Sequence, residues 1–318
     1  MAAIVELGML VAVVALFAGL GRLAWLAEGR LLRWGGMAVA ALVASASLVA
    51  FVVAAIGLYR TGARTAPVPQ VSVAGTPEQI RRGHAIADSF CAGCHTRGGT
   101  LTGGFDVGGE LPLPVGSFVA ANLTPAGALR DWSDGEIFRA IRNGVDAHGR
   151  WLVMMSYTNA GKLSDEDTLA VIAYLRSLPA LGVATGDPPD RLTLLGLVML
   201  GSGLLPRGKP VHTGAVLAPA KAPTAAYGEY ILSYQDCREC HGADLTGGVP
   251  GQLPPVGPDL TVVQAWDLPE FIATMRTGRD PGGRQLNEVM PWRAIGRMDD
   301  EELSAVYRYL RQMPGSGG

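Results

Sequence analysis

The chain has 318 residues, enough for about two domains. Its formal charge of −2 leaves no basic surplus, so nothing in the charge balance points to nucleic acid or another polyanionic partner. Only 17% of residues are charged and the mean hydropathy is +0.24, an apolar balance that points to membrane segments.

Two apolar runs open the sequence. Leu7 to Gly21 lies between Glu6 and Arg22 and is short for a span. It reaches bilayer length only as residues 2–26, with Arg22 snorkelling and Trp25 near the interface. A cleaved signal peptide is the competing reading, but the segment has no basic start and no small-residue cleavage site. Gly35 to Leu58 is uninterrupted, about 36 Å as a helix against roughly 30 Å of hydrocarbon. Trp34 and Tyr59 flank it, with Arg33 and Arg60 beyond, so the second helix is expected over residues 35–59. Residues 1–60 therefore predict a transmembrane helical hairpin, followed by a linker over 61–75.

Next comes Cys91-Ala92-Gly93-Cys94-His95, and later Cys237-Arg238-Glu239-Cys240-His241; together they use every cysteine in the chain. This is the spacing of covalent haem c attachment. Two thiols three positions apart reach both vinyl groups of one porphyrin, and the next imidazole meets the iron from the same side. The motif predicts two haems c, bonded through Cys91 and Cys94 and through Cys237 and Cys240, with His95 and His241 as proximal ligands. The bland alternatives are two redox dithiols or one four-cysteine zinc site. A zinc site would leave both histidines unexplained. Haem attachment takes place outside the cytoplasm, so the modules are expected on the outer face of the cytoplasmic membrane. The connection carrying Arg22, Arg30 and Arg33 against Glu28 then lies inside.

The remainder reads as one module written twice, over 76–180 and 222–314, separated by a segment at 181–221. Leu101-Thr102-Gly103-Gly104 is matched by Leu245-Thr246-Gly247-Gly248, and Pro114-Val115-Gly116 by Pro255-Val256-Gly257. Asn122-Leu123-Thr124 answers to Asp259-Leu260-Thr261, and Trp132 to Trp266. Each copy closes on an acid-rich amphipathic helix, N-capped by Ser164 or Asp299 and stopped by Pro179 or Pro314. Gly83 and Gly228 are placed to let the first helix of each copy cross this last one closely, against Tyr174 and Tyr309.

Each module resembles a class I cytochrome c domain, which makes the chain all-α: a transmembrane hairpin followed by two tandem cytochrome c domains. Asn122-Leu123-Thr124, the stretch from Trp132 to Ile137, Gly144-Val145 and the helix opening at Leu163-Ser164-Asp165 resemble the membrane-bound cytochrome c subunits of bacterial alcohol, aldehyde and gluconate dehydrogenases. The resemblance covers about three quarters of the chain. It departs from that family in having two haem motifs where three are usual, and in the N-terminal hairpin.

The resemblance implies a sixth iron ligand from a methionine before the last helix. Met290-Pro291 matches the family pattern, and Met155-Ser156-Tyr157 aligns best in the first copy, with Met154 and His148 as rivals. Serine in place of proline implies a looser loop. It also implies that a proline carbonyl after the motif holds the proximal imidazole, from Pro112 or Pro114 and from Pro254 or Pro255. Trp132, Trp266, Arg139 and Arg142 are candidates for the propionates. Between the modules, Leu192 to Leu205 is apolar but too short to span. It fits a surface-lying, partner-bound or buried connecting helix.

The expected function is an electron relay, not an enzyme, at the bilayer. Its expected partners are other subunits of a membrane redox complex and a soluble electron carrier or terminal oxidase. A cytochrome c subunit of a quinol-oxidising complex is the alternative reading, and a dihaem peroxidase is a third.

Overall fold

The computed structural model describes residues 2–96, 100–183, 189–252 and 254–314, so residues 184–188 of the inter-module segment lie outside it. In chain order the helices are α1 (Ala2–Trp25), α2 (Arg30–Thr61), α3 (Pro77–Ile86), α4 (Ala92–His95), α5 (Asp134–Asn143), α6 (Val153–Tyr157) and α7 (Asp165–Ser177). They continue as α8 (Leu194–Ser202), α9 (Ala225–Tyr234), α10 (Cys237–His241), α11 (Leu268–Thr277), α12 (Trp292–Ile295) and α13 (Asp300–Gln312). Two short antiparallel strands, β1 (Gly116–Ser117) and β2 (Arg191–Leu192), pair Gly116 with Leu192. The chain divides into two units.

The first unit comprises residues 1–65, 106–119 and 189–208. Its α1 and α2 form an antiparallel hairpin, both long and apolar enough to cross a membrane. The backbones approach where side chains are small. A Cβ on Gly36 would stand 2.8 Å from Ala24 Cβ, and one on Gly21 would stand 3.3 Å from Ala40 Cβ. Arg33 stacks over Trp25 at the connection, 4.6 Å from the ring centroid. The apolar segment before residue 205 is α8, which buries Leu197 and Leu200 and packs with Ala54 of α2.

The second unit comprises residues 66–105, 120–188 and 209–318, and so contains both haem motifs. In each module the first helix crosses the last at a glycine. A Cβ on Gly83 would lie 1.8 Å from Ala170 O and 2.9 Å from Tyr174 Cβ; on Gly228 it would lie 2.0 Å from Ala305 O. The Tyr309 hydroxyl instead accepts from Arg238 at 2.8 Å. Ser164 caps α7, and Asp299 forms a capping box with Glu302 on α13, as the sequence predicts. Ile86, Leu163 and Ile172 of one module and Tyr227, Ile231 and Leu303 of the other belong to one continuous core.

Candidate haem sites

Local helix geometry presents the two motifs differently. In the first module α3 continues through a π-helical turn, Ala87–Cys91, into α4, so Cys91, Cys94 and His95 share one helical stretch. Such widened turns gather at functional positions. In the second, Asp236 adopts a left-handed conformation (φ 59°) between α9 and α10, and α10 carries Cys237, Cys240 and His241. Burial pushes the Cys91 and Cys237 thiols up to about 12 and raises those of Cys94 and Cys240. Among the described residues no three His, Cys, Asp or Glu side chains converge as metal ligands, so the pairs remain separate.

The duplicated motifs converge on the imidazoles. His95 Nδ1 lies 2.9 Å from Ala121 O, and His241 Nδ1 lies 2.7 Å from Pro258 O. Each carbonyl belongs to the residue just ahead of the Asn122-Leu123-Thr124 or Asp259-Leu260-Thr261 repeat. That repeat is tied back in both copies: Leu123 N donates to Leu101 O and Leu260 N to Leu245 O, each at 2.9 Å. The Thr-Gly-Gly turns complete the frame, with Gly103 N bonded to His95 O (2.8 Å) and Gly247 N to His241 O (2.9 Å). Both glycines have positive φ, 65° and 114°, where a side chain would be strained. With Nδ1 held, Nε2 remains for iron, the usual arrangement of a ligating histidine. Burial also lowers the pKa of His95, which keeps its lone pair available.

These contacts correct the expected prolines. Pro114 O accepts from Thr193 Oγ1 at 2.7 Å and Pro255 O from Gln252 Nε2 at 2.9 Å, while Pro112 is exposed. The candidate propionate donors are only partly engaged within the protein: Arg139 Nε and Arg142 Nε are buried without a protein partner. Arg139 donates to the carbonyls of Asp146 and Ala66, and Arg142 to Leu163 O, Asp165 and Thr168. Trp132 is buried, and Trp266 accepts the Tyr307 hydroxyl at its carbonyl (2.9 Å).

The candidate distal methionines follow a hairpin that the sequence reading missed. Gly144-Val145-Asp146 to Gly149-Arg150 repeats as Gly278-Arg279-Asp280 to Gly283-Arg284. In both, the aspartate accepts the backbone N–H of the arginine, at 2.7 Å in the first copy and 2.9 Å in the second. The leading glycine (φ 61° and 70°) presses on the methionine loop: a Cβ would meet Ser156 Cβ at 2.8 Å or the Trp292 ring at 2.5 Å. Met154, Met155 and Met290 are all half-buried, whereas His148 is exposed on the hairpin turn. Ser156 does not loosen its loop. Its Oγ accepts from Trp151 Nε1 and donates to Val153 O, both at 2.7 Å, and its carbonyl accepts from Lys209 N. Trp292 Nε1, two residues beyond Met290, is buried without a protein partner, a donor left for a bound group. The donor set, the anchored imidazoles and this orphan donor fit haem c.

The two sites abut within the second unit. Phe90 meets Tyr234 edge-on with ring centroids 5.9 Å apart. Asp236 Oδ1 accepts from the backbone N (2.7 Å) and Nδ2 (2.6 Å) of Asn159, four residues beyond Met155. Burial raises the Asp236 pKa to about 6. Arg82 joins the modules through Asp167 (2.6 Å) and Glu302 (2.5 Å), and the Tyr230 hydroxyl donates to Asp167 (2.6 Å).

Comparison with known proteins agrees with this anatomy. Residues 78–175 match the family described as "Cytochrome C oxidase, cbb3-type, subunit III", and residues 225–314 match "Cytochrome c". The fructose dehydrogenase cytochrome subunit of Gluconobacter japonicus is 29% identical over 81% of this chain and 53% of its own length. The gluconate 2-dehydrogenase cytochrome c subunit of Pantoea cypripedii is 33% identical over 74% of this chain and 59% of its own. The chain thus spans just over half the length of these two relatives. It belongs to the c-type cytochromes, with two tandem cytochrome c domains and covalently bound haem c behind two apolar helices of membrane length.

Proposed function

We propose that this chain is the electron-transfer subunit of a membrane-associated dehydrogenase and passes electrons on to a soluble carrier or terminal oxidase. The observation that carries the reading is the abutment of the two attachment segments: Phe90 precedes Cys91 and touches Tyr234, three residues before Cys237. Haem c, when bound, supplies a one-electron iron couple. In this reading Cys91 and Cys94 hold one haem and Cys237 and Cys240 the other. His95 and His241 present Nε2 because backbone carbonyls hold Nδ1. Met155 and Met290 would supply the sulfur ligands, and thioether ligation raises the potential relative to paired histidines. The protein's remaining work is to keep the two centres close and sheltered from water.

The relatives' names support a dehydrogenase of a sugar or sugar acid as the donor. Thioether attachment outside the cytoplasm, with Arg22, Arg30 and Arg33 around the hairpin connection, supports haem modules on the outer face of the cytoplasmic membrane. A pyridine haemochrome assay should count two haems per chain, and the reduced protein should not bind carbon monoxide. One haem per chain, or a carbon monoxide adduct, overturns the relay. A dehydrogenase retained through purification in mild detergent is the expected partner; a haem b-containing membrane protein in its place overturns that assignment.

A further inference from the structure

We propose that α8 is a third membrane element, a half-helix immersed among the acyl chains of one leaflet beside α2. The inference rests on the reading of α2 as a membrane span. It arises from where α8 touches that helix. A Cβ on Gly57 would lie 2.0 Å from Leu197 O, and one on Gly201 would lie 1.9 Å from Val53 O. The two backbones are therefore in direct contact at a pair of reciprocal glycines, the usual device for close crossing of helices in lipid. Val53 and Gly57 both belong to the uninterrupted apolar run that ends at Leu58. From Arg60 inward to Val53 is about 10 Å along the helix axis. A helix bonded over that stretch shares its depth, and what surrounds the span at that depth is hydrocarbon.

The termini of α8 are finished as hydrocarbon demands, since unpaired backbone groups are costly there. At the N-terminus Thr193 Oγ1 accepts from Gly196 N (3.2 Å) and donates to Pro114 O, while Thr193 N donates to Val115 O (3.0 Å). At the C-terminus Arg60 Nη1 donates to Leu200 O (2.6 Å) and Gly201 O (3.0 Å), and Leu205 N closes onto Met199 O (2.9 Å). No charged residue occurs from Leu192 to Leu205; Arg191 and Arg207 stand just outside. The face turned away from α2 is apolar, with Leu195 40% exposed and Leu204, beyond the last turn, 72% exposed. Lipid is the occupant that matches an uncharged, apolar face on a helix packed directly against the span.

Because both haem motifs consume the native cysteines, one introduced cysteine can carry a nitroxide label on the intact holoprotein. Leu195→Cys is compared with Val49→Cys in the span and Leu217→Cys in the linker, each first shown to retain two haems. The proteins are reconstituted in phosphatidylcholine vesicles with the haems reduced, and spin relaxation by oxygen is measured against relaxation by a water-soluble nickel chelate. The expected result is an oxygen-to-nickel ratio at position 195 close to that at 49 and several-fold above that at 217. A ratio equal to that at 217 places α8 in water and overturns the proposal. Shielding from both reagents means that protein covers it, and also overturns it. A water-like ratio at position 49 would instead refute the span itself.

Discussion

Gly257 shows how little room the second site leaves. A Cβ there would stand 2.7 Å from His241 Nδ1 and 3.0 Å from Cys240 O. Gly257→Val should therefore push the imidazole off its iron, seen as one carbon monoxide-binding haem of two while the other stays inert. Met155 is the proposed sulfur ligand of the first haem, so Met155→Leu should abolish that haem's sulfur-to-iron charge-transfer band and lower its potential, whereas Met154→Leu should leave both unchanged. Retention of the band in Met155→Leu with loss in Met154→Leu would reverse the assignment. Arg82 is a different kind of residue, because it neutralises two carboxylates at once. The side chains of Asp167 and Glu302 are only 9% and 3% exposed, so Arg82→Leu leaves Asp167 buried without its cation and Glu302 with only Lys221, 3.9 Å away, at a cost of about 3–5 kcal/mol. Equilibrium denaturation of the holoprotein reads it directly. The two Cys-X-X-Cys-His motifs were legible in the sequence because side-chain types at fixed spacing mark them. The carbonyls of Ala121 and Pro258 were not, since a backbone oxygen can be offered by any residue and only its place before the repeat marks it.

Helix crossings are the next level at which sequence dictates outcome. Gly83 sits where a Cβ would fall 1.8 Å from Ala170 O, a backbone atom with nowhere to go. Gly83→Val should separate α3 from α7 and thus move the turn that carries Cys91 and Cys94. Haem incorporation into the first module, read as haem per chain, should fall from two towards one. Both crossing glycines were readable from the duplicated pattern, as were the caps at Ser164 and Asp299. The paired hairpins after α5 and α11 repeat just as plainly, yet their meaning lies in the glycine-to-loop contact, which no pattern of residue types displays. The partner of α8 was likewise hidden. Arg60 precedes the carbonyls it caps by some 140 residues, and no local periodicity carries that relation.

For the protein as a whole, the shared core of the haem modules matters most. Tyr230 of the second module donates to Asp167 and accepts from Ser164 N of the first, and Arg82 spans both. Modules joined only by a tether would melt one after the other. Here the Soret signals of both haems and the near-ultraviolet ellipticity should be lost in one coincident transition; two resolved steps would show that the modules fold independently. The course of the chain adds a further consequence, because it passes from one unit to the other after residues 65, 105, 119, 188 and 208. Trimming away the N-terminal hairpin would strip α8 of its partner while leaving it, and the 106–119 loop bonded to its N-terminal end, on the remainder. A water-soluble version for electrochemistry therefore calls for excising three pieces and resealing two gaps, and a single protease cut in the 61–65 region should liberate no well-behaved fragment.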